Sequence, residues 1–252
     1  MSGSYDLETI HSIVNESNVV HVSFNPTPED PFPVILPMIG VMGSYEYPSS
    51  SIGEPQDCYL HGWVSARMMR TAKESEKGLP VCLAATKVDG LVLASSSFNH
   101  SYNYRSVMLQ GYAKFVEDID EKLYAMKIIT NSVVPERYEN TRPPDSAEIT
   151  STGILRVTIE TGSGKIHTGD VNDDQKDLKR AEVTEKIWTG VIPVYEILGT
   201  PIPAATNKVE SVPEHVENYV VATTEKNAKT AIDAAKHGEA EVSVRTNSSS
   251  VT

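Results

Sequence analysis

Apolar residues recur at helical spacing near the start of the chain, where Leu7, Ile10, Ile13 and Val14 follow Ser4 and Asp6, two residues able to cap a helix. This predicts a short amphipathic helix over residues 6–16. Strand-like runs then follow at short intervals, at 19–24, 33–41, 58–61, 81–88, 91–98 and 104–116. Asp89-Gly90 separates two of these runs, and such a pair suits the positive φ angles of a tight type I′ turn, so the two are expected to form a hairpin. Ser65 is placed to cap a helix running through Met68, Met69 and Lys73 and ending near Gly78-Leu-Pro80. A second helix is expected over 120–133, with Leu123, Met126, Lys127 and Ile129 on successive turns. Residues 154–160 read as another strand, 187–198 as one or two more interrupted at Pro193, and the charged stretch 172–185 as a surface loop. The fold class predicted is mainly β: an antiparallel core with peripheral helices.

Beyond Thr200 the chain turns to Ala, Thr, Ser, Lys and Glu and closes on Ser-Ser-Ser-Val-Thr. Residues 1–199 therefore read as one folded domain, and 200–252 as a peripheral, partly disordered extension with a short helix over 213–220.

Charge narrows the partners. The 252 residues carry 22 Lys and Arg against 34 Asp and Glu, a formal charge of −12 that repels a nucleic-acid backbone, so any phosphate must be held locally. No nucleic-acid partner is expected. Cys58 and Cys82 fall in no metal or redox spacing and fit a reducing compartment. Met1 to Asp6 lacks the basic flank and apolar stretch of a secretory signal, and the longest apolar runs are far short of the roughly 20 residues a membrane span requires. A soluble, cytoplasmic protein without a membrane partner is the expectation.

Several segments together carry a more specific signal: Tyr59-Leu-His-Gly62, Ser65-Ala-Arg67, Asp89-Gly-Leu-Val-Leu-Ala94, His100-Ser-Tyr-Asn-Tyr-Arg-Ser-Val107, Gly111, Glu121-Lys-Leu123, Val134-Pro-Glu-Arg137, Arg142-Pro-Pro144, Lys165 to Gly169 and Trp188-Thr-Gly-Val-Ile-Pro193. In this order they resemble the pyridoxamine 5′-phosphate oxidase-related flavoproteins, and within them the flavin-nucleotide-binding branch that includes the nitroimidazole-resistance proteins. The resemblance spans residues 4–199. It implies a split β-barrel that forms a homodimer, with FMN in a groove built by both subunits.

The resemblance assigns cofactor-contacting positions to Tyr59, His61, Ser65, Arg67, Met68, His100, Asn103, Tyr104, Arg105, Ser106, Lys165 and Trp188. Elementary chemistry agrees for some of them. Arg67, near the start of a helix, offers a fork of donors for a phosphate beside the helix's positive end, and Arg70 and Lys73 add charge. Met68 stands where the vitamin-pathway oxidases carry a second basic residue, which weakens the phosphate clamp. Ser106 replaces a glutamine of those enzymes. Alternation along 104–111 places Arg105, Val107 and Leu109 on one face and Ser106, Met108 and Gln110 on the other; a surface ion pair is the competing role for Arg105. Lys165 sits in a Gly-rich stretch, 162–169, read as a loop near the flavin's pyrimidine end; the stretch lacks the Walker spacing. Trp188 either packs beside the ring or fills the core.

No metal site is expected, because the seven histidines show no metal-ligand spacing. Haem is the alternative cofactor, with His61 or His100 as its ligand. Ser95-Ser-Ser97 lacks the elbow glycines of a hydrolase nucleophile. The activity implied is flavin-dependent oxidation or reduction of a small organic molecule such as a nitro compound or quinone, with no side-chain acid or base assigned. Pyridoxamine 5′-phosphate oxidation is not expected, since Trp188 is followed by Thr189-Gly-Val-Ile-Pro-Val194 and not by the Arg-x-His-x-Arg cluster of those enzymes. The second class is a non-catalytic module that stores or senses flavin or haem.

Overall fold

The computed structural model describes residues 6–27, 30–63, 66–236 and 240–247. Its elements follow in the order α1 (Leu7–Asn15), β1 (Val20–Phe24), β2 (Val34–Met38), β3 (Gly40–Gly43), β4 (Asp57–Trp63), α2 (Arg67–Glu74), β5 (Leu79–Leu93), β6 (Ser101–Phe115), α3 (Ile119–Val133), α4 (Ser146–Ser151), β7 (Thr152–Thr168), α5 (Gln175–Leu178), α6 (Ala181–Thr184), β8 (Gly190–Pro193), α7 (Glu214–Lys236) and β9 (Ala240–Asn247). The strands form an antiparallel sheet in the order β2-β1-β5-β6-β7-β4-β3, with β8 added on β5 and β9 on β7. The chain divides into two compact units, one of residues 1–86, 106–164 and 243–252, the other of 87–105 and 165–242; the dividing points fall inside β5, β6 and β7.

The first unit is built on apolar alternation. Val20, Val22 and Phe24 point inward from β1, as do Val81, Leu83 and Ala85 from β5 and Val107 and Leu109 from β6. Each such side chain removed from water stabilises the fold by about 1.5–3 kcal/mol before entropy is counted. α1 begins at Asp6, whose carboxylate accepts from the Thr9 backbone N–H, and it buries Ile10, His11, Ile13 and Val14. Burial holds the His11 imidazole below its ordinary pKa, and its Nδ1 donates to the Ile52 carbonyl at 2.7 Å. α3, capped by Asp118, covers β3 and β4, where Val41, Tyr59, Val116, Ala125, Ile129 and Ile154 form one cluster.

The opposite face of the same sheet is open. Register pairs Pro37 with His21 and His21 with Ala84, and pairs Ile35 with Ser23 and Ser23 with Cys82, so these residues share one side. Ile35 is 60% exposed there.

In the second unit β8 pairs with the end of β5 (Gly90 with Pro193, Leu93 with Gly190), and α7 packs on β8 with Ala231 and Ala234 buried.

Five local expectations are corrected. Asp89-Gly90 makes no turn: β5 runs unbroken through it. Gly90 is needed for close approach, since a Cβ there would lie 2.9 Å from Val191 Cγ1 and 3.5 Å from Asn103 Cβ. The stretch 162–169 is not a loop, because all but its last residue belongs to β7. The run 33–41 breaks into β2 and β3, and the charged 172–185 segment contains the short helices α5 and α6. The helix expected over 213–220 continues to Lys236. Among the described residues no helix is long and apolar enough to cross a membrane.

Candidate functional site

In the first unit the expected positions gather around the junction of β4 and α2. Burial of Met68, Met69 and Ala72 turns the other side of this one amphipathic helix, Arg67 and Arg70 included, toward solvent. Gly62 lets the helix seat closely on the strand, since a Cβ there would stand 2.8 Å from Met69 Cε. The N-cap is Ala66, which has no side-chain capping bond; Ser65, expected as the cap and as part of the phosphate clamp, lies outside the described residues. Lys73 pairs with Glu117 at 3.1 Å, whereas Arg67 and Arg70 make no side-chain hydrogen bond or ion pair among the described residues. An anionic cofactor needs a cation that is not already neutralised, and these two guanidinium groups fit that need.

His61 lies exposed on β4, two residues before Trp63, and Ser106 is half-buried on β6. Beside α2 a groove of about 790 Å³ is lined by Thr71, Ser75, Phe24, Pro80, Gln110 and Tyr112.

Tyr59 and Met68 take other roles than expected. Tyr59 has no accessible surface; its hydroxyl donates to Glu121 Oε1 at 3.0 Å, and that same oxygen accepts from Arg156 Nη1 at 3.0 Å. Burial, with the Glu121 carboxylate beside it, pushes the Tyr59 phenol far above its usual range, so it stays protonated. Met68 is likewise a core residue. With 0% and 2% of their surface accessible, Tyr59 and Met68 serve packing in this chain.

The second unit holds a polar cluster. Asn103, fully buried, donates through Nδ2 to the Gly169 carbonyl at 2.8 Å and to the Ala234 carbonyl at 3.3 Å. Two carbonyls can only accept, so the amide orientation is settled, and Oδ1 faces His167 Nδ1 at 3.1 Å. His167 Nδ1 is therefore the protonated ring nitrogen. The imidazole stacks on Tyr104, with centroids 6.0 Å apart and planes at 12°, and Lys165 Nζ lies 5.9 Å from the Tyr104 ring centroid. Asn103 is thus a positioning residue, corrected from a cofactor contact. His167 is the member that reading 162–169 as a loop overlooked; on a strand, alternation sets Lys165 and His167 on one face.

Arg105 is also held, by two bonds to Asp89, at 2.8 Å from Nε and 2.9 Å from Nη2. An ion pair is thus present, but it is largely buried and not the surface pair expected. Trp188 is 67% exposed and is no core filler. His100 is exposed, and its Nδ1 lies 2.9 Å from the Ser96 carbonyl, which makes that nitrogen the donor and leaves Nε2 as the basic nitrogen of the neutral ring. Among the described residues no group of His, Cys, Asp and Glu is arranged to hold a metal ion.

Residues 6–166 match the pyridoxamine 5′-phosphate oxidase family. No curated protein matches the chain. Among solved structures it is similar to the flavocytochrome Anf3 from Azotobacter vinelandii, with 27% identity over 86% of this chain and 91% of that one and a TM-score of 0.68. It is also similar to the FAD and heme binding protein from Mycobacterium smegmatis, with 23% identity over 87% and 98% and a TM-score of 0.71. The family match covers more than half of the sequence, and the split-barrel strand order agrees with it: the chain belongs to the pyridoxamine 5′-phosphate oxidase family.

Proposed function

We propose that the chain binds a flavin nucleotide and works in the cytoplasm as a homodimeric oxidoreductase on a small organic molecule such as a nitro compound or quinone. The observation that carries this reading is the head of α2, where Arg67 and Arg70 stand exposed and make no ion pair among the described residues, in a protein of formal charge −12. In this reading Arg67 neutralises the flavin's phosphate, and the groove beside α2, of about 790 Å³, is the space nearest at hand for the ring. A bound flavin supplies hydride or electron transfer. In the other unit, taken by itself, Lys165 sets a cation beside the Tyr104 ring and Asn103 holds His167 in one tautomer. The flavocytochrome and the FAD and heme binding protein among the similar structures support a flavin. The open sheet face where Ile35, Pro37 and Ala84 flank His21 and Ser23 supports a second copy as partner.

The protein as purified should be yellow, with the absorption bands of oxidised flavin, and should consume NADH or NADPH when offered a nitroaromatic or quinone. Colourless protein that ignores both added FMN and added FAD would overturn the reading. Bound flavin that is reduced but never reoxidised by these acceptors would assign it instead to the storage or sensing class. Pyridoxine 5′-phosphate should release no peroxide.

A haem reading is favoured by one further observation. The Ser96 carbonyl fixes His100 in the tautomer whose exposed Nε2 can ligate iron. Added haem should then give a Soret band that His100→Ala abolishes; an unaltered band in that variant rejects His100 as ligand.

A further inference from the structure

A cavity of about 400 Å³ in the first unit is walled by the turn after β3, the start of β4 and strand β7, and it shares no lining residue with the groove beside α2. Tyr45, Tyr47, Gln56, Asp57 and Arg156 are among the residues that line it. The turn carrying the two tyrosines is fixed, because the Tyr47 N–H donates to Ser44 Oγ at 3.1 Å and the Ser50 N–H to the Tyr47 carbonyl at 2.9 Å. Tyr45 packs on Tyr124 with ring centroids 5.7 Å apart. Tyr47 is 69% exposed, an aromatic ring left in water.

The charges around this cavity are unbalanced. Arg156 faces two carboxylates, Glu121 at 3.0 Å and Asp57 at 3.7 Å, so one negative charge is left over. Glu46, exposed and without an ion pair among the described residues, adds another. Burial pushes the Asp57 carboxyl above its usual range against the pull of Arg156, and Glu121 and Glu46 act in the same direction as burial. Gln56 contributes a dipole of the same sign. Its Nε2 donates to the Ser51 carbonyl at 3.3 Å, which leaves Oε1 buried and accepting no hydrogen bond among the described residues. A buried acceptor without a donor costs stability unless positive potential reaches it.

A cavity of this size takes a molecule and not a bare ion, and among the described residues no group of His, Cys, Asp and Glu is arranged to hold a metal. Aromatic rings beside surplus carboxylate charge fit a poorly hydrated cation, which loses little on leaving water and is drawn to the negative face of a ring. We propose that this cavity is a second binding site, for a small quaternary ammonium compound whose head sits against Tyr45 and Tyr47 with Asp57 and Glu46 as its counter-charges. The site does not depend on the flavin reading.

Calorimetric titration of the full chain with choline tests it, beside the uncharged isostere in which carbon replaces the ammonium nitrogen. Choline should bind saturably, and the isostere, equal in shape but without the charge, should bind at least about tenfold more weakly. Tyr47→Ala and Asp57→Asn should each weaken choline about tenfold, whereas Tyr47→Phe, which keeps the ring face, should stay within about twofold of the parent. Tyr47 stands on the surface and an unchanged unfolding midpoint in its variants confirms intact protein, so the test holds even where Asp57→Asn fails to fold. No saturable binding of choline up to about 10 mM, equal affinity for the isostere, or unchanged affinity in Tyr47→Ala rejects the site. Binding of inorganic phosphate that Arg156→Gln abolishes would also reject it, by giving the cavity to anions.

Discussion

Asp89 and Arg105 hold each other in a forked ion pair, Arg105 Nε to Asp89 Oδ2 at 2.8 Å and Arg105 Nη2 to Asp89 Oδ1 at 2.9 Å, with side-chain exposures of only 5% for the aspartate and 16% for the arginine. Asp89 stands midway along β5, and the bond ties it to β6, its neighbour in the sheet.

Removing the arginine strands a buried carboxylate. Arg105→Met should cost about 3 kcal/mol of stability, because an ion pair broken on one side leaves a charge that has lost its partner. Urea unfolding of Arg105→Met, of Asp89→Asn and of the double variant measures it. The double variant should recover at least about 1 kcal/mol relative to the sum of the two single losses. Additive losses would mean that the pair contributes nothing as a pair.

Asn103 presents its NH₂ group to two carbonyls. Asn103→Asp keeps the shape and turns both contacts repulsive, so a loss of about 2–3 kcal/mol is expected from two buried hydrogen bonds and an unpaired charge. Thermal unfolding checks this, and an unchanged midpoint would contradict the bonding described here.

At Gly111 the backbone of β7 passes so near that a Cβ would lie 2.1 Å from the Thr158 carbonyl oxygen. That atom belongs to the sheet itself and cannot rotate aside. Gly111→Ala should therefore cost about 3 kcal/mol or prevent folding altogether, the upper end of overpacking effects. Soluble expression and the denaturation midpoint report the outcome; wild-type stability would disprove the close approach.

His11 gives the fold a pH dependence. Burial lowers its pKa from the ordinary 6.5. The unfolded chain takes up a proton at a pH where the folded chain does not, so stability is complete above the unfolded value and falls as pH drops through it, levelling off below the folded pKa. Stability should thus decline as the pH falls through the ordinary 6.5, and His11→Gln should flatten that slope. Parallel slopes for the two proteins would show that other groups govern it.

Local periodicity made a good part of this fold legible. The helical repeat of Leu7, Ile10, Ile13 and Val14 became α1, and alternation from Arg105 to Gln110 correctly separated buried Val107 and Leu109 from exposed Met108 and Gln110. Pro193, which cannot donate to a ladder, ends β8 where the interruption was expected. Asp89-Gly90 shows the limit. Its turn chemistry is sound for a dipeptide in isolation, yet β8 pairing at Gly90 and the guanidinium of Arg105 at Asp89 hold the same two residues extended.

The candidate site divides in the same way. Arg67 was readable as a candidate for a phosphate because a cation at the head of a helix is a local feature. That it makes no ion pair among the described residues was not readable, since that depends on where distant acids finish. Tyr59 and Met68 were misplaced because burial is a property of the folded packing and not of the motif that contains them.

What the sequence determined by itself was the alphabet of elements, their amphipathic faces and the family, all carried by residues within a few positions of one another or by their order along the chain. The tertiary structure alone decided which polar groups are spent and which remain available. Asn103 finds its partners 66 and 131 residues away and Tyr59 meets Glu121 across 62, separations over which no periodic pattern extends. Hydrogen bonds and ion pairs of that kind form only when packing brings strangers in sequence together and removes the water that would otherwise satisfy them.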